Sequence, residues 1–232
     1  MTEDELTELL AGHPVLYHMA EAGSWPSIRE RGLLSTSALL DLFGVGVAER
    51  HAIEAERRPL SVALAPGAVI RDNGPLNEAN LARCLDDGLR PEDWYRLLNG
   101  RVFFWLSRER LLRLLGARLY RGKEHEVLEV EARPLVEACR DRIELSPINS
   151  GATGRFPVRR GLRTFRRIPD YDYASRRARR LEPVVELAVL GGVPDIARFT
   201  RRVVRMRGDR EEGVVWEAPG VGPGLASGGI ER

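Results

Sequence analysis

The chain has 232 residues, 43% of them hydrophobic, and 36 Lys and Arg against 34 Asp and Glu leave a formal net charge of +2. That length suits one large domain with a substantial core, and the near-neutral balance excludes a global field that would draw the whole molecule to nucleic acid or to a membrane. Cys84 and Cys139 stand far apart with no other ligand types beside them, which excludes a disulfide scaffold and a zinc site, and no apolar run approaches the roughly 20 residues of a membrane span.

The opening M-T-E-D-E-L-T-E-L-L is acidic and amphipathic. It predicts a short helix over residues 3–10 with a capping box from Thr2 to Glu5, and it is unlike a signal peptide, so a cytoplasmic location is expected. Val15, Leu16 and Tyr17 have the β-branched and aromatic character of a buried strand, which ends on His18. Ser24 is placed to cap a helix that carries Pro26 in its first turn and stops at Gly32. Residues 37–57 read as a helix, a break at Gly44 and Gly46, and a more polar helix. Strands are expected over 60–64 and 68–71, and helical pattern over 75–98 with Pro91 at a helix start.

The densest aromatic stretch, R-V-F-F-W-L at residues 101–106, is bounded by Asn99-Gly100 and predicts a central buried strand. A helix capped by Ser107 follows, then a strand over 125–131, a helical turn over 134–140 and a strand over 142–145. Residues 146–180 show little periodicity and are too long for a plain connection of about 4 to 6 residues, so they read as a functional loop. A strong strand over 184–190 and a basic, β-rich one over 199–206 close the domain, which spans residues 1–217. The Gly/Pro-rich residues 218–232 predict a disordered tail.

Three groups of residues carry chemistry. Glu186 is the one acid inside V-V-E-L-A-V, so it either faces solvent on a half-exposed strand or lies in a cleft. His18 is a lone histidine, more often packing than ligand, and no second His or Cys stands at metal spacing from it. Ten arginines and two aspartates between residues 155 and 180 give that segment +8 and leave the remainder net acidic. Phe156, Phe165, Tyr171 and Tyr173 are interleaved with these arginines. Arginine pairs with phosphate and aromatic rings stack on bases, so the mixture suits single-stranded nucleic acid or a dinucleotide, although most such runs are merely solvated. The preceding S-P-I-N-S-G-A-T offers backbone N–H groups to an anion but lacks the Walker and Rossmann patterns.

Three of these segments together resemble one superfamily. L-Y-H-M-A-E-A-G-S-W-P-S-I-R-E-R-G-L-L-S is similar to the start of ADP-ribosyltransferase folds, nearest to the DarT-type DNA ADP-ribosyltransferases and more distantly to the RNA 2′-phosphotransferases. R-V-F-F-W-L-S-R is similar to their middle strand, and V-V-E-L-A-V to the strand that carries their catalytic Glu. The matching residues cover about a quarter of the chain, and Ser24 stands where DarT-type enzymes usually carry Asn.

The resemblance implies an α+β fold with a split mixed or antiparallel sheet and flanking helices, NAD as substrate and no metal. It makes Glu186 the catalytic residue. His18, Ser35, Phe104, Trp105 and Arg108 would contact NAD: His18 at a ribose hydroxyl, Phe104 or Trp105 at the nicotinamide, and Arg108 or its neighbour Arg110 at the pyrophosphate. Asn149, Arg155 and Arg166 would bind the acceptor, a nucleic acid by preference. The alternative keeps the fold without the chemistry, as a silent nucleic-acid or nucleotide-binding module that weakens when Arg159, Arg160, Arg166 and Arg167 are neutralised.

Overall fold

The computed structural model describes residues 1–220, and its elements follow from local chemistry. The capping box forms as its sequence predicts and starts α1 (Glu3–Gly12): Glu5 N donates to Thr2 Oγ1 at 3.2 Å and Thr2 N to the Glu5 carboxylate at 2.8 Å. β1 (Val15–Glu21) outruns its apolar start, so His18 lies in mid-strand rather than at a strand end. α2 (Trp25–Arg31) is not capped by Ser24, whose hydroxyl makes no cap bond. The buried carboxylate of Glu126 takes that role, accepting from Gly23 N at 2.9 Å and Trp25 N at 2.7 Å. Gly32 ends the helix at φ +92, where a Cβ would lie 2.6 Å from Pro194 Cα.

β2 (Leu33–Leu34) leads to α3 (Thr36–Leu42) and α4 (Val47–Ala55), separated at the expected glycines. β3 (Val62–Ala65) and β4 (Ala68–Ile70) form a hairpin turned by Gly67 at φ +73. α5 (Glu78–Cys84) and α6 (Pro91–Asn99) precede β5 (Arg101–Trp105) and α7 (Arg108–Leu115), the last capped by Ser107. β6 (Glu124–Glu131), α8 (Ala132–Cys139), β7 (Ile143–Ser146), β8 (Arg166–Arg167), α9 (Tyr173–Ala178) and β9 (Glu186–Leu190) follow. β10 (Gly192–Val193), α10 (Ile196–Phe199), β11 (Thr200–Arg207) and β12 (Arg210–Glu217) complete an α+β fold.

Eight strands make one sheet in the order β12-β11-β6-β1-β5-β9-β7-β8, with antiparallel pairing throughout. β5 sits near its centre, as its aromatic density predicts. Val102 and Phe104 point into the main core with Leu16, Leu128 and Leu187, while Phe103 and Trp105 point to the other face. β1 pairs with β6 over seven residues but with β5 at the single pair Tyr17↔Trp105, beyond which the two strands part. A separate, smaller cluster of Leu40, Ile53 and Ile70 binds α3, α4 and the hairpin into a lobe beside that opening.

Residues 146–180 are not a plain loop. They hold β8, paired to β7, and α9. Their aromatic side chains are largely structural, which corrects the stacking platform expected from sequence. Phe165 stacks on Trp94 at 5.7 Å, and Phe165, Tyr171 and Tyr173 are buried, whereas Phe156 is 86% exposed. Burial of a ring stabilises more than an exposed stack on solvent, so three of the four serve the core. At the other end, β12 extends the sheet past the expected last strand, and Ala218 N still donates to Arg201 O at 2.9 Å. The predicted disorder therefore does not begin at 218, and residues 221–232 lie outside the described residues.

Candidate functional site

Where β1 and β5 part, a cleft of about 290 Å³ opens, floored by the strands and flanked by α2, the hairpin and residues 149–152. Three registers build its wall. Tyr17↔Trp105 and Trp105↔Glu186 put Trp105 and Glu186 on one face of the sheet, and Ser146↔Glu186 fixes the far side. His18 and Glu186 both line the cleft, from the strands on either side of β5; alternation from Tyr17↔Trp105 sets His18 on the Phe104 face of the sheet, the two rings 5.8 Å apart, and Glu186 on the Trp105 face.

Glu186 is 3% exposed. Its Oε2 accepts from Ser150 N at 3.0 Å. Burial pushes its carboxyl up to about 7, against the opposing pull of Ser150 and of the Arg160 and Arg110 guanidinium groups. The carboxyl therefore exchanges a proton near neutral pH, the property a general base needs. Arg110 is held beside it by a two-pronged ion pair with Glu182.

His18 Nδ1 lies 2.9 Å from Phe103 O. A carbonyl only accepts, so Nδ1 carries the proton and Nε2 is left as an acceptor. Burial lowers the imidazole to about 4; the Phe103 bond opposes this and Arg71 adds to it. The ring is thus neutral at physiological pH. Past His18 the cleft turns polar: Arg71 stacks on Tyr120 at 5.0 Å, donates to Glu21 at 3.4 Å, and precedes Asp72, which accepts from the Tyr120 hydroxyl at 2.8 Å.

The other predicted contacts divide. Trp105 and Asn149 line the cleft. Phe104 does not: it is fully buried on the opposite face, because strand alternation sends it to the core when its neighbours face the opening. Ser35 is buried and spends its hydroxyl on Ala38 N, as the cap of α3. Arg108 is exposed at the first position of α7. Arg110 is the arginine that acts on Glu186. Arg155 is exposed with its guanidinium 5.6 Å over the Phe156 ring, and Arg166 sits on edge strand β8, donating to Arg163 O at 3.2 Å. Phe104, Ser35, Arg108, Arg110, Arg155 and Arg166 all lie outside the cleft lining.

Sequence reasoning missed the arginines that do: Arg31, Arg58, Arg71 and Arg101. Arg58 and Arg101 are committed to internal bonds with Arg71 O and Glu144. Nothing in a one-dimensional pattern separates a cleft arginine from a surface one, since each follows or ends an ordinary element.

Among the described residues no cluster of His, Cys, Asp and Glu could hold a metal ion, and no helix is long and apolar enough to cross a membrane. A comparison with curated proteins finds no match. Residues 14–200 match a family model described as a family of unknown function, DUF7002, and the matched stretch takes in β1, β5, the 149–152 wall and β9. Since that match covers most of the chain and every residue of the cleft, the protein belongs to DUF7002.

Proposed function

We propose that the cleft binds NAD, and that the protein is an ADP-ribosyltransferase-like enzyme whose sheet opens at β1 and β5 in the manner of that superfamily. One observation carries the reading. A neutral histidine acceptor and a carboxyl that titrates near neutrality line the same cleft from opposite sides of an aromatic strand. A space of about 290 Å³ suits the nicotinamide riboside part of a dinucleotide. Trp105 offers a flat wall to the nicotinamide ring, and His18 Nε2 accepts from a ribose hydroxyl. Of the cleft arginines Arg31 is the one for the pyrophosphate, because its side chain is 35% exposed against 22% for Arg71 and 10% for Arg101, and its own bonds run from Nη1 alone, to Ser27 Oγ at 3.1 Å and to the exposed Glu30 carboxylate at 3.1 Å.

In the reaction the bond from ribose C1′ to the nicotinamide nitrogen breaks, and nicotinamide leaves with the electron pair. Glu186 stabilises the positive charge that develops on the ribose and takes the proton of the acceptor as the acceptor's lone pair bonds to C1′. Single-stranded nucleic acid is the acceptor we favour. The support is narrower than the sequence suggests, namely Phe156 under Arg155 with Arg159, Arg163 and Arg167 exposed nearby in sequence. The same feature favours the second reading, a silent nucleic-acid-binding module.

Incubation with radiolabelled NAD and single-stranded DNA, RNA or total protein tests the choice. We expect label on a polymer, reduced at least about a hundredfold by Glu186→Gln. Salt-sensitive oligonucleotide binding without turnover selects the silent module, and absence of NAD binding, or transfer undiminished in the variant, overturns the enzyme reading.

A further inference from the structure

Arg160 belongs to the arginine-rich segment but is 3% exposed. A buried cation is costly unless its donors are used, and two of the three guanidinium nitrogens donate to backbone carbonyls. Its Nη1 donates to Ser150 O at 2.9 Å and its Nε to Val158 O at 3.1 Å, while the guanidinium lies 5.7 Å from the Trp94 ring centroid. The backbone is pinned as well: Arg160 N donates to Cys84 O at 2.9 Å, and Asp86 N to Arg160 O at 2.8 Å. Trp94 Nε1 adds a second donor to Ser150 O at 3.3 Å. Ser150, gripped at its carbonyl, presents its N–H to Glu186 Oε2 at 3.0 Å.

Resting on the reading of Glu186 as the group beside the breaking bond, we propose that Arg160 is a positioning residue. It fixes the Glu186 carboxyl by holding the Ser150 backbone, and with it the 149–152 wall of the cleft, against β9. Arg160 is thereby removed from any external phosphate, which corrects its expected place among nucleic-acid contacts. The charged groups that face Glu186 are Arg160 from this segment and Arg110 from α7, the latter already paired with Glu182. Both the Arg160 charge and the Ser150 N–H favour the ionised carboxyl, so loss of Arg160 removes one and slackens the other.

The test titrates Glu186 by carbon NMR of protein carrying labelled glutamate, without NAD, the signal being assigned by its disappearance in Glu186→Gln. In Arg160→Met we expect the midpoint to move up by about one pH unit, with Arg160→Lys in between. Transfer then falls at least about fivefold at pH 7 and recovers most of that loss by pH 9, as the carboxyl ionises, while what a loosened Ser150 backbone misplaces stays lost. A folded Arg160→Met protein with an unmoved midpoint, or with a rate lost equally at every pH, overturns the proposal. If that variant does not fold, Trp94→Phe decides, because it removes one donor to Ser150 O and keeps a ring under the guanidinium: an upward shift supports the proposal and none overturns it. A wild-type protein that transfers nothing, yet whose midpoint moves in Arg160→Met, overturns the NAD reading and leaves the positioning role intact.

Discussion

Glu186 and His18 depart from ordinary acidity in opposite senses, and each departure links stability to pH. The Glu186 carboxyl, raised to about 7 by burial, binds its proton more tightly in the folded chain than in the unfolded one. Its contribution is full below about pH 4.5 and is lost as pH rises through 7. Glu186→Gln keeps an acceptor for Ser150 N and never ionises. We therefore expect it to match the wild type near pH 5 and to exceed it at pH 8 by roughly 2 to 3 kcal/mol, read by urea denaturation at both pH values. His18, lowered to about 4, works the other way, its contribution falling as pH drops from 6.5 toward 4. The acid in V-V-E-L-A-V was legible as an anomaly, because one carboxylate in an apolar strand needs a reason. Which of Phe104 and Trp105 faces it was not legible, since alternation gives two parities and only the register Trp105↔Glu186 selects one. Arg160 was hidden for a simpler reason: ten similar arginines offer no local sign of which one is buried.

At the level of elements, apolar periodicity marked most strands and helices, and failures fell where tertiary contacts replace local signals. Ser24 has the composition of a cap, yet the cap is Glu126, remote in sequence and adjacent through β6. Glu126→Ala leaves two backbone N–H groups unpaired at a buried helix start, so we expect a loss of about 2 to 4 kcal/mol. Thermal unfolding measures this, and a change within 0.5 kcal/mol, the usual range for a surface position, would show that solvent replaces the carboxylate. β12 was missed because its residues, R-E-E-G-V-V-W-E, are largely polar and exposed. An edge strand is held by backbone bonds to β11 and needs little apolar pattern of its own.

Across the whole molecule, the sheet is continuous, but its β1–β5 pairing is reduced to a single register pair. The halves β12-β11-β6-β1 and β5-β9-β7-β8 meet at Tyr17↔Trp105, and the bond from His18 to Phe103 O is a second tie between them. His18→Asn places a donor where Nδ1 stands and has no counterpart to Nε2, whereas His18→Ala has neither. Amide exchange should be unchanged by the first and faster around β5 in the second, while the Nε2 acceptor is lost in both. Equal exchange in the two variants would mean that the tie carries no weight. The consequence of so narrow a seam is mechanical. Between two plates that share one core and touch along the seam at so few points, a guest can lodge at the seam without breaking either plate's own ladder of hydrogen bonds.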